Sequence, residues 1–284
     1  MNNDKIIIVG SDFKWEEKKL LSSYSPIDYL LLSELEIQIG EKTKFIRNGI
    51  NVFDIFSGNE KFIIRRSRGN FEKLLVFVEI LKKRGFVFTD SFQSISNNLN
   101  KEIFLATMES KIFPHPRGSM FVQKDEDILN KKFEFPLISK PVMGRHGEGI
   151  VIHENFESLE KEVKTKKENL LIQKYLDIEA EYRIFVMGNA SLGAVVKNPA
   201  PGKKIANYNA GACFYPVDLP KSLLDEAVKL CQIQEIDIGG VDIVKTKSGE
   251  YFILEINRCP EFRAFSEATG IDVAKKIIDF IKQK

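Results

Sequence analysis

The segment Gly239–Pro260, GGVDIVKTKSGEYFILEINRCP, is the feature that most constrains how this chain can fold. Two runs rich in β-branched and aromatic residues flank Lys247-Ser248-Gly249, a tripeptide with the composition of a turn. Runs of this kind favour strands, and their close spacing favours direct antiparallel pairing. The segment therefore predicts a β-hairpin.

Acidic and amide side chains interrupt the apolar runs of this hairpin. Side chains alternate between the two faces of a strand, so Glu255 and Asn257 share one face, and a hairpin closed near Lys247 places Asp242 on that face, opposite Ile253 and diagonal to Glu255. Two nearby, partly buried carboxylates repel each other unless a cation lies between them, and hard oxygen ligands suit Mg²⁺. A solvent-facing strand with incidental acids is the alternative that the hairpin alone leaves open.

Composition places the chain among ordinary globular proteins. Its 284 residues are 43% hydrophobic and 29% charged, which predicts two or three domains with a substantial core. The net charge of +2 comes from interleaved signs, so we expect no nucleic-acid partner and no membrane partner. The first apolar run, Ile6 to Val9, is too short for a signal peptide, and the three cysteines and three histidines lack metal-ligand spacing. We therefore expect a cytoplasmic protein with reduced thiols.

The order of strands and helices predicts an α/β (α+β) fold. "KIIIVG" reads as a buried strand, and Lys61–Asp90 reads as strand, helix, strand, so the first 90 or so residues predict a small open-sheet domain. After Gly10 the next glycine is Gly40, which argues against a dinucleotide-binding fingerprint. Further helices are predicted over 98–110, 156–167, 221–234 and 271–284, and further strands in "LLIQKYL", "YRIFVMGN" and "SLGAVVKN".

A glycine-rich turn follows a strand that carries one lysine. "PLISKPV" contains Lys140, "MGRHGEG" is the turn, and "GIVIHE" returns as a strand. Glycines allow positive φ and let backbone N–H groups approach an anion closely, so the arrangement resembles a flap that covers phosphates. The turn is not a Walker A loop, and an ordinary hairpin with a surface lysine is the alternative.

The order of these motifs along the chain, with the lysine strand and glycine turn before the acidic hairpin, resembles that of ATP-grasp enzymes. The resemblance is greatest to the RimK-type and LysX-type carboxylate–amine ligases. The resemblance covers about Asp90 to Ala274 and rests on Lys140-Pro141 with its glycine turn, "QKYL", "EYRIFVMG", "GVDI" and "EINRCPEF". It implies an ATP-grasp fold with a small N-terminal open-sheet α/β domain (1–95). A central subdomain with the flap (96–170) and a C-terminal subdomain with the metal site (171–284) would clasp ATP.

The resemblance also implies roles for individual residues. Arg183, Lys140 and Asn207 match catalytic positions, but Ile205 stands where the family has an arginine, and whether Lys203 or Lys204 replaces it stays open. Asp242, Glu255 and Asn257 match ligands of two magnesium ions, with Mn²⁺ as an alternative metal. The residues that match the ATP-binding positions are Lys101, Lys140, Gly144, Arg145, His146, Gly147, Gly149, Gln173, Lys174, Tyr175, Leu176 and Glu181.

The activity implied by the resemblance is ATP-dependent amide formation through an acyl phosphate. The partners would be an amine, a glutamate-like amino acid, and a carboxylate of a small molecule, peptide or carrier protein; a homo-oligomer is compatible with this. Pro260 is RimK-like and Glu261-Phe262-Arg263 is LysX-like, so the choice between the two groups stays open. Arg65 or Arg66 aligns loosely with a family arginine, either to contact a substrate carboxylate or in a structural surface role. A kinase with the same ATP site and a non-catalytic Mg-nucleotide-binding module are the alternative functions.

Overall fold

The computed structural model describes residues 5–67, 69–97, 119–123, 128, 131–142, 149–166, 168–201 and 211–284. Within them, no helix combines the length and apolar character needed to cross a membrane. Two short 3-10 helices lie at Leu32–Glu34 and Val52–Asp54. The α-helices are α1 (Trp15–Ser22), α2 (Phe71–Lys83), α3 (Phe92–Asn97), α4 (Phe156–Thr165), α5 (Lys221–Ile233), α6 (Arg263–Thr269) and α7 (Val273–Gln283). The strands are β1 (Ile6–Gly10), β2 (Ile27–Leu31), β3 (Glu36–Gln38), β4 (Lys44–Arg47), β5 (Ile50–Asn51), β6 (Lys61–Ile64), β7 (Val87–Phe88), β8 (Met120–Val122), β9 (Leu137–Pro141), β10 (Val151–His153), β11 (Leu170–Lys174), β12 (Ile178–Met187), β13 (Ala190–Asn198), β14 (Cys213–Val217), β15 (Ile238–Thr246) and β16 (Tyr251–Asn257).

The N-terminal sheet is parallel, with strand order β2-β1-β6-β7. The predicted strand, helix, strand unit is confirmed as β6, α2 and β7. Because β1 is apolar at every position, it buries both faces: Ile7 and Val9 pack in the core that contains α2, and Ile6 and Ile8 pack in the core that contains α7. The N-terminal sheet therefore depends on a helix from the opposite end of the sequence.

A small antiparallel sheet, β3-β4-β5, is inserted between β2 and β6. Its Phe45 lies edge-on to Phe77 of α2, with ring centroids 5.1 Å apart. The predictions made from the sequence did not include this insertion.

The central sheet is antiparallel, with strand order β10-β9-β11-β8. One face packs on α4 through a core that includes Leu137, Leu159 and Leu170. Since β11 belongs to this sheet, we propose that the boundary between the central and C-terminal subdomains lies after Lys174, and the division into three domains is itself a proposal. The helix predicted over 98–110 lies outside the described residues.

The C-terminal sheet is antiparallel, with strand order β14-β13-β12-β15-β16. Helix α5 covers one face through residues such as Leu230, which packs with Ile184 and Val241. On the other face, Phe185 and Val195 join the core that contains α7 and the N-terminal sheet. The same face continues along the strands, beyond this core, as a polar surface.

Candidate active site

Six polar side chains lie on one face of the C-terminal sheet, on four neighbouring strands. The register pairs Glu181 with Lys197, Arg183 with Asp242, and Asp242 with Glu255. Directly paired residues of antiparallel strands point to the same face, so the pairing itself brings these groups together. We call this set the polar cluster: Glu181, Arg183, Lys197, Asp242, Glu255 and Asn257.

The hairpin β15–β16 forms as predicted, but its register differs from the prediction. Asp242 lies opposite Glu255, not opposite Ile253, and Ile243 lies opposite Ile253. The shift arises from a β-bulge that leaves Leu254 as an extra residue on β16. The bulge places the two carboxylates directly across from each other, where cross-strand side chains are closer than on a diagonal.

Asp242 is held by two cations. Arg183 donates from Nε and Nη2 to the two carboxylate oxygens of Asp242, each at 2.7 Å, which is a bidentate pair. Lys197 Nζ lies 3.2 Å from Asp242 Oδ1 and also pairs with Glu181. Asp242 and Lys197 are only 4% and 5% exposed, so these charges are screened little by water.

The environment decides the charge of each group. Burial tends to raise the pKa of Asp242, but Arg183 and Lys197 outweigh it and lower that pKa to about 2. Burial tends to lower the pKa of Arg183, and the nearby Asp242 carboxylate reverses this and raises it. Burial raises the pKa of Glu181, and Lys197 offsets the increase only in part. Asp242 is therefore an anion and Arg183 a cation near neutral pH.

Asn257 links the two facing carboxylates. Its Nδ2 donates to Asp242 Oδ2 and to Glu255 Oε1, both at 3.1 Å. The amide nitrogen thus lies between two anionic groups, where a cation would be stabilised, and rotation of the amide would present Oδ1 instead. Two carboxylates and an amide oxygen are a donor set that fits Mg²⁺. Among the described residues, no group of three or more His, Cys, Asp and Glu side chains is placed to hold a metal ion, so a metal held here would need the amide oxygen as a further ligand.

The described residues predicted to bind ATP lie mainly in the central sheet and in the segment that connects β11 to β12. Lys140 lies opposite Leu171, and Gln173 lies two residues further along β11, so Lys140 and Gln173 share the face away from α4. Gln173 is buried and donates to Ser119 Oγ at 2.8 Å. Lys174, Tyr175 and Leu176 connect this sheet to β12, at the junction of the two sheets.

Gly149 adopts the backbone conformation that the glycine turn predicts. Its φ is +74°, and a Cβ atom there would lie 2.8 Å from Pro141 Cγ, so glycine is required on both counts. Six other predicted site residues lie outside the described residues: Lys101, Gly144, Arg145, His146, Gly147 and Asn207.

One histidine and all three cysteines lie within the described residues. His153 is fully buried, with its ring nitrogens 2.8 Å from Ser139 Oγ and 2.9 Å from Ser158 Oγ, and it is a core histidine with both nitrogens bonded. Cys213, Cys231 and Cys259 are all free thiols.

Two residues in the site region were not assigned correctly from the sequence. Lys197 was missed, although it is the only charged residue of β13, the same signal that singled out Lys140 in its strand. Arg65 is neither at the surface nor free for substrate, because it is 2% exposed and its Nε donates to Glu17 at 3.0 Å. Arg66 contacts the chain itself at Cys259 and Glu261.

Comparison with known families identifies the family of this chain. The model of the RimK-like ATP-grasp domain matches residues 113–281, more than half of the chain. This chain belongs to the RimK-like ATP-grasp family. The RimK-like match includes all of the polar cluster, which therefore lies in the region that defines the family.

Individual relatives of this RimK-like chain are ligases by name. The probable alpha-L-glutamate ligase 1 of Shewanella frigidimarina is 30% identical over 55% of this chain and 54% of its own length, so the chain spans about half of that relative. The ATP-grasp ligase PsnB, solved with a minimal precursor, has a TM-score of 0.73 at 16% identity over 99% of both chains. PsnB solved with minimal precursor, Mg and ADP has a TM-score of 0.70 at 17% identity, covering 100% of this chain and 98% of PsnB. At this identity, the structural matches show the ATP-grasp fold alone.

Proposed function

We propose that this chain is an ATP-dependent carboxylate–amine ligase that forms an amide bond through an acyl phosphate. The observation that carries the proposal is the polar cluster. It gathers two carboxylates and an amide around one point, beside Arg183 and Lys197, in a chain of the RimK-like ATP-grasp family. A site that handles a polyanion with metal ions needs oxygen ligands and cations together, and the cluster supplies both.

The reaction has two displacements. A carboxylate oxygen of the first substrate attacks the γ-phosphorus of ATP, the bond to ADP breaks, and an acyl phosphate forms. The amine then attacks the acyl carbon, phosphate leaves, and the nitrogen releases a proton. Both steps need positioning and charge stabilisation rather than a protein nucleophile, so a reactive cysteine or a serine triad is not required.

The polar cluster and Lys140 would do this positioning. Asp242, Glu255 and Asn257 would hold two magnesium ions, with Mn²⁺ as an alternative. When bound, Mg²⁺ supplies Lewis-acid chemistry and screens the phosphate charges. Arg183 presents a permanent cation on the same face of the sheet and would face the phosphoryl group in transfer, while Lys140 would hold phosphate oxygens from the central sheet.

The substrates are proposed by class. We propose a glutamate-like amino acid as the amine, and its support is the relative named an alpha-L-glutamate ligase. A carboxylate of a small molecule, peptide or carrier protein is the proposed acceptor, and the PsnB complexes with a precursor support the peptide. A reaction that consumes ATP fits the cytoplasmic location expected from the sequence.

The proposal is tested by measuring phosphate release from Mg-ATP in the presence of pairs of carboxylates and amino acids, with glutamate as the first amino acid. Hydroxylamine added in place of the amine should give a hydroxamate, because it traps the acyl phosphate. Asp242→Asn is the negative control, since it removes a predicted metal ligand. A phosphorylated product with no hydroxamate would assign a kinase instead, and Mg-ATP binding without turnover for any substrate pair would assign a binding module.

A further inference from the structure

The strand that carries two of the predicted metal ligands, β16, is held in position by few hydrogen bonds from the sheet. In the part of the chain that the structure describes, β16 lies at the edge of the C-terminal sheet and pairs with β15 alone. The bulge at Leu254 interrupts that single ladder immediately before Glu255. Edge strands with interrupted ladders tolerate slippage and twisting, so a second constraint is needed to hold Glu255 and Asn257 in place.

Arg258, the residue after Asn257, is bound by the N-terminal sheet. Its Nη1 donates to Asp90 Oδ2 at 2.9 Å and to Ile64 O at 3.2 Å, and its Nη2 donates to Arg65 O at 3.3 Å. The Arg258 and Asp90 side chains are 6% and 2% exposed. Burying an ion pair is a weak source of stability compared with apolar packing, but the forked guanidinium fixes one geometry.

Arg66 holds the next residues of the same segment. Its Nε and Nη2 donate to Cys259 O at 3.3 and 3.0 Å, and its Nη1 donates to Glu261 Oε1 at 2.8 Å. Cys259 Sγ also donates to Ile64 O at 3.3 Å. The segment 258–261 is therefore bound to the N-terminal sheet by two arginines, one from each side of the contact.

The place of this contact in the fold is informative. In the strand order β2-β1-β6-β7, the chain continues from β1 to β2 on one side and from β6 to β7 on the other. The carboxyl ends of β1 and β6 therefore form the topological switch point of the sheet, which is where open α/β sheets commonly bind ligands. Here Arg258 occupies the end of β6 by bonding to the carbonyls of Ile64 and Arg65. The N-terminal sheet uses this edge to hold the end of the hairpin.

We infer that Arg66 and Arg258 are positioning residues: they clamp the segment 258–261 against the N-terminal sheet and so set the orientation of Glu255 and Asn257. The inference rests on the proposed function, because it assigns these two side chains to a Mg-nucleotide site. Neither arginine contacts the metal or the nucleotide in this proposal. Their effect passes through the backbone of the residues that follow Asn257.

Arg66→Gln tests the clamp, with Lys61→Met as the matched control. Lys61 Nζ donates to Lys282 O at 2.7 Å, so the control also removes a contact between the N-terminal sheet and the C-terminal part of the chain, but one far along the sequence from the hairpin. A second variant, Arg258→Lys, keeps a cation beside Asp90 and removes the fork that reaches both carbonyls. These changes avoid leaving a buried carboxylate without a cation.

Two measurements apply to each variant: the Mg²⁺ concentration that half-saturates ADP binding by calorimetry, and hydrogen exchange of residues 255–261 without nucleotide. In Arg66→Gln and Arg258→Lys, we expect the Mg²⁺ requirement to rise about tenfold, as for partners that orient metal ligands, with faster exchange of this segment. ADP binding without Mg²⁺ and all properties of Lys61→Met should match the wild type. If the wild type binds Mg-ADP and the arginine variants behave like Lys61→Met, the positioning role is wrong while the proposed function stands. Absence of Mg²⁺-dependent ADP binding by the wild type would overturn both.

Discussion

Charge compensation is the main physical feature of individual residues in the site. Asp242 is almost fully buried and keeps its negative charge because Arg183 and Lys197 pair with it and Asn257 donates a hydrogen bond to the same carboxylate. Of the three side chains that bind Asp242, Asn257 is the one that also donates a hydrogen bond to Glu255. The two facing acids therefore have different surroundings, and substitutions at each should have different consequences.

Glu255→Gln should abolish most activity and leave the fold intact. The change keeps the size of the side chain and removes one negative charge, so a metal role is lost while packing is kept. Activity should fall about a hundredfold or more, as expected when a group that stabilises transition-state charge is lost. Circular dichroism and the magnesium dependence of phosphate release measure the two effects.

Glu250→Gln, the same substitution at an exposed position of the same hairpin, is the control. Glu250 accepts from Ser248 at the turn, away from the polar cluster, and its replacement should leave turnover unchanged. A folded Glu255→Gln variant with normal turnover at low magnesium would make the hairpin acids incidental.

Asp242→Asn should reveal a pH-dependent part of the stability. The folded pKa of Asp242 is lowered from 3.8 to about 2, so its ionisation stabilises the fold above the unfolded pKa, and this contribution is lost as the pH falls through about 2. The destabilisation caused by the variant should therefore shrink by about 2 kcal/mol between roughly pH 5 and pH 2. Urea unfolding of metal-free protein at several pH values measures this difference, and a destabilisation independent of pH would contradict the assigned ion pairs.

At the scale of elements, the sequence predicted what local patterns encode. The hairpin β15–β16, the helices α2 and α5 and the strand β1 follow from apolar periodicity, turn residues and terminal glycines. The bulge at Leu254 has no such signature, because no glycine or proline marks it. Arg258 meets Asp90 across 168 positions of sequence, and contacts of that range leave no local pattern. The sequence predicted that Asp242, Glu255 and Asn257 lie together, and it did not predict the contacts that Arg258 makes with the N-terminal sheet.

Gly240→Ala should perturb the site through packing between elements. A Cβ atom at position 240 would lie 2.9 Å from Pro260 Cβ and 3.4 Å from Arg183 Cδ, so the segment after β16 must move. Overpacking of this kind costs about 1–3 kcal/mol, and we expect a lower melting temperature together with a higher Mg²⁺ requirement. Gly40→Ala is the control, because a Cβ atom there meets nothing within 4 Å, and equal melting temperatures of the two variants would contradict the close approach.

At the scale of the whole molecule, one apolar core joins the two ends of the sequence. Ile8 of β1, Phe185 of β12 and Ile277 of α7 belong to the same cluster of buried residues. The C-terminal sheet and the N-terminal sheet therefore share packing as well as the arginine contacts. We expect them to unfold together, and ligand binding at the polar cluster to stabilise both.

Mg-ATP should raise the melting temperature of the whole chain, and NAD should not. A ligand that binds the native state stabilises it by mass action, by about 2.7 kcal/mol at a hundredfold excess over the dissociation constant. The N-terminal sheet lacks the dinucleotide glycines, so NAD has no expected site. Thermal unfolding with each nucleotide at equal concentration is the measurement, and a shift with NAD but not with Mg-ATP would contradict the ATP-grasp assignment of the site.

The packing of α7 on β1 bears on how the chain folds as it is made. A ribosome releases β1 early, and domains commonly fold in the order of their synthesis. Leu20 of α1 joins the core around Ile6 and Ile8 early, but Ile277, Ile278 and Ile281 of the same core lie in Val273–Gln283, which is translated only after the C-terminal sheet. The nascent N-terminal sheet therefore leaves part of one apolar face uncovered while the ATP-grasp region is translated, and a chaperone that shields exposed apolar surface should raise the yield of folded protein.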